Sequence, residues 1–214
     1  MDLTQFSYWI GMAGITAFAV TAVLALATRQ IDLFSAVVLG IITAVGGGTL
    51  RDLILDEPVF WLSDITYIWV AMIASLIAFW AEPLLTRKEI HSLLLYVDGF
   101  GVAMFSIATI NKVWNLGYGL PLAPIILGIV TAIGGGLLRD VLAGRPTLLT
   151  TTELYATPVL LGCTLYVGLI YLLPDHRLVS AISCGALIFG IRAAAIHWHL
   201  TVPSWLITKM KQNR

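Results

Sequence analysis

Seven nearly uninterrupted apolar segments of about 20 residues constrain this chain more than any other feature, because a helix of that length crosses the hydrocarbon core of a bilayer. Only 11% of the 214 residues are charged, whereas soluble domains carry about 25%. Too few polar side chains remain to cover a globule in water, so the fold is predicted to be an all-α integral membrane protein. The predicted spans are 6–27, 32–55, 65–85, 91–110, 120–143, 153–173 and 178–198.

The distribution of basic residues orients these spans. Cytoplasmic loops of membrane proteins carry an excess of Lys and Arg. An N-terminus outside and a C-terminus in the cytoplasm places seven basic residues inside and two outside, so we expect this orientation in the cell inner (plasma) membrane. The inside set is Arg29, Arg87, Lys88, Arg145, Lys209, Lys211 and Arg214, and the outside set is Lys112 and Arg177.

An internal repeat relates the second span to the fifth. Shifting the chain by 88 residues aligns 38–58 with 126–146 without a gap, and 12 of the 21 positions are identical. The aligned segments share the motif Gly-Gly-Gly-x-Leu-Arg-Asp, and a weaker similarity pairs 14–18 with 101–105. The two glycine triplets are Gly46, Gly47, Gly48 and Gly134, Gly135, Gly136.

The repeat divides the chain into three predicted parts: a three-helix repeat at 1–90, a second at 91–175, and a seventh helix with a short cytoplasmic tail at 176–214. An odd number of spans per repeat turns the second copy upside down relative to the first. Inverted repeats of this kind place a pathway or binding site near the bilayer midplane where the two copies meet. Both glycine triplets lie near the middle of their spans, as this arrangement requires.

Three consecutive glycines are expected to bend or unwind a helix, because each costs about 1 kcal/mol relative to alanine. Carbonyls freed by such a break must line water or be buried in protein. They suggest a monovalent cation near the backbone of Gly46 and Gly134. The alternative is that the glycines only permit tight helix packing. Thr43 and Thr131 either add hydroxyl oxygens to the same helix face or bond their own backbone.

The motif charges Arg51, Asp52, Arg139 and Asp140 lie inside or at the edge of the hydrocarbon. An arginine there costs about 2.5 kcal/mol or more without water or a partner, so these residues are predicted to be functional. Because neighbours on a helix point about 100° apart, one of each pair is expected to face a pore and the other a neighbouring helix. The alternative is that Arg and Asp neutralise one another, across the repeats or through the next helix.

Other polar residues add one candidate and exclude several function classes. Asp98 lies within the fourth span and is expected either to join the polar interior or to have a structural partner. We find no nucleophile–base pair and no phosphate-binding loop, so an enzyme is not expected and no cofactor is implied. The formal net charge is zero and no long basic run is present, so nucleic acid is not an expected partner.

The doubled motif, in the second span of each of two inverted three-span repeats followed by a seventh span, resembles the TRIC family of trimeric intracellular cation channels, in its prokaryotic branch. The resemblance implies a homotrimer in membrane lipid, with one pore per protomer lined by kinked second and fifth helices. It implies K⁺ (or Na⁺) as the permeant ion, kinks at the glycine triplets, and the motif Arg and Asp residues beside the pore. Because some bacterial relatives are linked to glycine uptake, a secondary transporter of a small zwitterion such as glycine is the alternative, and inverted repeats suit it equally.

Overall fold

The computed structural model describes residues 3–27, 29–151 and 153–201, and within these ranges the fold is all-helical apart from one isolated β-bridge between Glu153 and Thr201. Three short 3₁₀ turns join some of the eight α-helices. The helices are α1 Leu3–Leu26, α2 Leu33–Ile54, α3 Phe60–Ser63, α4 Thr66–Ala81, α5 Arg87–Leu116, α6 Leu122–Leu142, α7 Ala156–Leu172 and α8 Arg177–His197.

A helix occupies each of the seven predicted spans, and the all-α membrane fold is confirmed. Within the described ranges, six helices are long and apolar enough to cross a membrane when α4 and α8 are counted with their adjoining 3₁₀ turns, as Thr66–Leu84 and Pro174–His197. Helix α7 has only 17 residues and no such extension. The count of seven crossings therefore stays a prediction, as do the boundaries of the three parts. Outward side chains on these helices remain apolar: Phe34 is 76% exposed and Ile77 63%. Such a surface is suited to contact with lipid rather than water.

The fourth span is longer than predicted. In place of 91–110, α5 runs from Arg87 to Leu116 because its ends are well capped. Thr86 and Glu89 form a capping box at the start, which satisfies backbone amides that the first turn leaves unpaired. Gly117, at a φ of 76°, ends the helix. Lys112, expected in an external loop, lies inside α5, so it does not count as a loop charge and the orientation of the termini stays a prediction.

The glycine triplets do not interrupt their helices. Helical structure continues through both triplets in α2 and α6, so the expectation that the chain unwinds there and frees its carbonyls is wrong; a bend stays a prediction. The triplets instead bring two backbones together. A Cβ on Gly47 would overlap the carbonyl oxygen of Thr131, and one on Gly135 would lie 2.5 Å from the carbonyl oxygen of Thr43. Tight packing, the alternative interpretation, is what the structure shows.

The contacts at this crossing follow the repeat symmetry. A Cβ on Gly46 would meet the side chain of Leu138, and one on Gly134 would meet that of Leu50. From Thr43 to Gly47 on α2, the backbone partner on α6 shifts back by four residues, from Gly135 to Thr131. The side-chain contacts shift in the same sense, so the two helices are antiparallel. When 88 is added to the residue number on α2 and subtracted from the one on α6, each contact becomes the equivalent contact of the other repeat. The inverted relation inferred from the sequence is therefore present in the packing of α2 against α6.

The first helices of the two repeats pack in the same way. A Cβ on Gly14 in α1 would lie 2.7 Å from the ring of Phe105 in α5, and one on Gly101 would lie 3.5 Å from the ring of Phe18. The two rings are themselves neighbours, with centroids 5.4 Å apart. These four residues are the weaker similarity seen in the sequence. Together α1, α2, α5 and α6 form the centre of the fold, with α4 outside one repeat and α7 and α8 outside the other.

Replacing Gly47 by alanine tests the crossing. The added methyl group would press on a backbone carbonyl that cannot rotate away, and overpacking of this kind costs about 1–3 kcal/mol. We expect the apparent melting temperature in detergent to fall by about 2–10 °C. Gly168→Ala is the matched control, because its Cβ would meet nothing within 4 Å and alanine favours a helix. Equal melting temperatures for the two variants would contradict the packing role.

Candidate functional site

Each motif ends at a charged cluster beside one end of the crossing. The first cluster consists of Arg51, Asp52, Thr109 and Lys112, and the second cluster consists of Asp98, Arg139 and Asp140. The start of α1 lies beside the first cluster, since Ser7 and Tyr8 line the same cavity as Arg51 and Lys112. The end of α1 lies beside the loop that follows the second, where Arg145 donates to the carbonyl oxygen of Ala25 at 3.1 Å. The two clusters therefore lie toward opposite ends of α1. On α5, Asp98 and Lys112 are 14 residues apart, which at 1.5 Å per residue is about 21 Å.

The chain folds back over each cluster through the same helix ending. Asp56 and Gly144, 88 positions apart, have left-handed φ values of 54° and 58°. The next residue in each case, Glu57 or Arg145, donates its amide to the backbone carbonyl of the motif aspartate. This pattern is a Schellman motif. The carboxylate Oδ2 of that aspartate then accepts the amide eight residues on, from Phe60 at 2.9 Å and from Leu148 at 3.2 Å. The motif aspartate thus fixes the loop that covers its own helix end.

Within each repeat the motif arginine pairs with the aspartate next to it. Arg51 Nε donates to Asp52 Oδ1 at 2.8 Å, and Arg139 Nε donates to Asp140 Oδ1 at 2.8 Å. Sequence neighbours thus turn toward each other, although their Cα–Cβ bonds point about 100° apart, because the arginine side chain is long enough to fold back. Of the two interpretations, mutual neutralisation is the one the geometry supports, and it occurs within a repeat rather than across repeats.

The first cluster has an excess of positive charge. Lys112 Nζ donates to Asp52 Oδ1 at 2.7 Å, and Arg51 Nη1 approaches the Thr109 hydroxyl at 3.4 Å. Two cations share one carboxylate that is 0% exposed. The sequence does not single out Lys112 or Thr109, because the predicted span 91–110 ends before Lys112. Residues three positions apart lie on one helix face. A predicted helix that extended past Lys112 would therefore have placed Thr109 and Lys112 side by side.

The second cluster has an excess of negative charge. Arg139 Nη1 donates to Asp98 Oδ1 at 2.7 Å, and the same guanidinium holds Asp140 through Nε. Two carboxylates thus share one cation. Asp98 joins the buried polar region as predicted, with Arg139 as its partner. Both side chains are 0% exposed, so the pair is shielded from solvent in this conformation.

Arg192 extends the buried polar region around the second cluster. Its guanidinium lies 4.7 Å from the ring centroid of Tyr155, and Nη1 donates to the carbonyl oxygen of Leu154 at 2.8 Å. Several buried atoms here make no hydrogen bond: Asp98 Oδ2, Arg139 Nη2, and Nε and Nη2 of Arg192. An unsatisfied buried polar atom costs about 1–3 kcal/mol. Such atoms concentrate where water or an ion would find partners.

The crossing itself holds two further unsatisfied groups. The hydroxyls of Thr43 and Thr131 are buried and make no hydrogen bond, so the alternative that they bond their own backbone is wrong. Both residues lie where α2 and α6 touch, since their carbonyl oxygens are the atoms that face Gly135 and Gly47. Two equivalent, unused hydroxyls therefore lie at the repeat interface, between the two charged clusters.

Comparison with known proteins places this geometry in a family. The family model described as "Glycine transporter" matches residues 8–83 and 95–171, one segment in each predicted repeat. The inner membrane protein YadS of Escherichia coli (strain K12) is 36% identical over 203 residues, which cover 94% of this chain and 96% of that protein.

Solved structures agree. The TRIC channel orthologue of Rhodobacter sphaeroides superposes with a TM-score of 0.86 at 31% identity, over 91% of this chain and 99% of that one. The chain belongs to the prokaryotic TRIC family. A second TRIC cation channel, whose structure addresses conductance, superposes at 0.80 with 28% identity over 94% of this chain and 97% of that one. The TRIC fold therefore extends over nearly all of the described residues.

Charge balance in the first cluster can be tested with a double-mutant cycle. Asp52→Asn removes the only carboxylate between two cations, and breaking a buried pair costs about 3–5 kcal/mol. We expect the melting temperature to fall by about 6–20 °C. Adding Lys112→Gln removes one of the stranded cations, so the double variant should be more stable than Asp52→Asn alone.

Asp32→Asn is the matched control for this cycle. Asp32 accepts the Ser35 amide at 2.9 Å as the N-cap of α2, and asparagine caps a helix about as well as aspartate. Its melting temperature should therefore stay near that of the wild type. A double variant no more stable than Asp52→Asn would contradict the coupling of Lys112 to Asp52.

Proposed function

We propose that this protein is a channel for monovalent cations, with one path in each protomer that follows the crossing of α2 and α6. The observation that carries the proposal is the pair of unused hydroxyls of Thr43 and Thr131 at the crossing, with a charged cluster on either side. Hydroxyl and carbonyl oxygens are the ligands that replace the hydration shell of an alkali cation in a narrow path. The permeant ion is K⁺, with Na⁺ as the nearest alternative.

The two charged clusters make the ends of such a path electrostatically different. The second cluster holds two carboxylates and one cation, and the buried guanidinium of Arg192 beside it brings that end of the path close to neutral. The first cluster carries one cation more than it has carboxylates, which opposes the entry of cations. Cation entry is therefore easier from the end of Asp98 than from the end of Lys112. The motif residues act as pore-adjacent charges in this proposal, and the glycines act as the crossing point.

Similarity to solved channels supports the same function. The Rhodobacter sphaeroides protein is a TRIC trimeric intracellular cation channel orthologue, and its similarity to this chain, at 31% identity, extends over nearly the whole length of both. We propose that this protein likewise assembles as a homotrimer in membrane lipid, with a separate path in each protomer. No nucleic acid, cofactor or catalytic step enters the proposal.

A transporter of a small zwitterion is the second candidate. The family model that matches both repeats is described as "Glycine transporter", and inverted repeats that meet at the midplane are also a transporter architecture. The surplus cation of the first cluster favours this alternative, because a carboxylate is the natural partner of Arg51 and Lys112.

Recording from the purified protein in planar bilayers separates the two candidates. A channel should give ohmic single-channel currents, and under a KCl gradient the reversal potential should lie toward that of K⁺ and away from that of Cl⁻. Flux that is slow, saturable and dependent on labelled glycine, with counterflow and without unitary currents, would replace the channel with the transporter. Reconstituted Gly47→Ala protein serves as a comparison in both assays.

The two threonines provide a test that leaves the charges untouched. Valine has nearly the shape of threonine without its hydroxyl, and here that hydroxyl has no partner to lose, so Thr43→Val and Thr131→Val should fold normally. We expect each to lower single-channel conductance by about half or more, because an oxygen ligand is removed from the path.

Thr21→Val is the matched control. Its hydroxyl is also buried but donates to the carbonyl oxygen of Phe18 at 2.9 Å within α1, so conductance should not change. Unchanged conductance in both crossing variants would remove the α2–α6 crossing from the ion path.

A further inference from the structure

A cavity of about 250 Å³ opens beside the first cluster, between the start of α1 and the ends of α2 and α5. One wall carries Arg51 and Lys112. A second, aromatic wall carries Tyr8, Phe60 and Tyr67. Because water occupies about 30 Å³ per molecule in the liquid, the volume suits a solute of a few heavy atoms.

The cationic wall offers more donors than the protein uses. Arg51 has five N–H donors and Lys112 has three. Three contacts occupy them: one from each residue to Asp52, and the 3.4 Å approach of Arg51 to Thr109. Asp52 has no free oxygen for the remaining donors, because its Oδ1 accepts hydrogen bonds from both cations and its Oδ2 accepts one from the Phe60 amide. Among the residues that the structure describes, Arg51, Lys112 and Asp52 therefore carry one positive charge in excess, together with unused donors.

The aromatic wall supplies a different environment. Phe60 packs edge-to-face on Tyr67 with centroids 4.7 Å apart, and Tyr8 packs on Tyr67 at 5.8 Å. The Arg51 guanidinium itself lies 5.6 Å from the Phe60 ring centroid. Such rings accept either the apolar carbon of a small solute or an ammonium group by a cation–π contact.

We infer that this cavity is a binding site for a small carboxylate, held by Arg51 and Lys112. A carboxylate carries one negative charge and only acceptor atoms, so it complements both the surplus charge and the unused donors. Burial near the membrane makes the uncompensated cation unfavourable, and an anionic ligand relieves that cost. This site is independent of the proposed channel, because a carboxylate can bind there whether the protein conducts cations or transports a zwitterion.

The second cluster does not offer the same chemistry. There the guanidinium of Arg139 is shared by two carboxylates, and that of Arg192 lies beside them over the Tyr155 ring. Two positive and two negative charges leave no surplus charge for an anion. The repeats thus supply a carboxylate site at one end of the path only. Lys112 creates the difference, because without it the first cluster would be a neutral Arg–Asp pair.

Calorimetric titration of the purified protein in detergent tests the site directly. The probes are acetate (a carboxylate), ethylammonium (a cation), glycine (which has both groups) and chloride, each at constant low ionic strength. Acetate and glycine should bind, ethylammonium should not, and chloride should compete only weakly. Binding of ethylammonium alone, equal affinity for chloride and acetate, or no binding by acetate would each overturn the inference.

Variants locate the site. Lys112→Gln should weaken acetate binding by about tenfold or more, because a charge-assisted hydrogen bond is lost, and Lys112→Arg should restore most of it. Arg177→Gln is the matched control: Arg177 bonds to Asn115 near the same end of α5 and does not line the cavity. If Arg177→Gln weakens binding as much as Lys112→Gln does, the effect is one of overall charge and the assignment fails.

The binding assay is independent of ion conduction. Acetate binding that depends on Lys112 in a protein without channel currents would keep the carboxylate site and remove the channel. Potassium currents in a protein that binds no acetate would keep the channel and remove the site. Each result therefore decides one proposal without deciding the other.

Discussion

The rest of the structure depends on the contact between two helix backbones at Gly47 and Gly135. A side chain at either position would occupy the space of a carbonyl oxygen on the other helix, so only glycine allows α2 and α6 to cross this closely. The close crossing fixes the two helices antiparallel and places their charged ends toward opposite ends of α1. Without it the motif would still form two Arg–Asp pairs, but the register of the repeats would depend mainly on the packing of α1 against α5.

On this symmetric frame, a single helix makes the two ends chemically different. From Leu3 to Leu26, α1 has no charged residue, whereas α5 contributes Asp98 to the second cluster and Lys112 to the first. The repeated motif therefore supplies the same ion pair twice, and α5 adds a carboxylate to one pair and an ammonium to the other. The two ends of the proposed path therefore differ in charge, which the duplicated residues alone would not produce.

The sequence predicts the helices and their inverted relation well, because long apolar segments and a gapless repeat depend only on local residue types. It does not predict the partners of the motif charges. Asp98 could be placed in the interior from its span, but its contact with Arg139 joins residues 41 positions apart. Lys112 was misplaced because hydropathy marks where lipid contact ends, whereas α5 continues to Gly117. The glycines were expected to break a helix, because helix propensity does not include the packing of a second backbone.

The crossing also explains how a tightly packed centre can be compatible with passage. In the proposed channel an ion could not pass where two backbones touch, so conduction would require α2 and α6 to separate. Separation parts the two backbones at Gly47 and Gly135, together with the side chains of Leu50 and Leu138 that pack beside them. It also lets water reach the hydroxyls of Thr43 and Thr131, which have no partners while the helices touch. Each hydroxyl gains about 1–3 kcal/mol when a partner arrives, and this gain offsets part of the packing lost. A crossing with unsatisfied hydroxyls is therefore closer in free energy to a hydrated one than an apolar crossing would be.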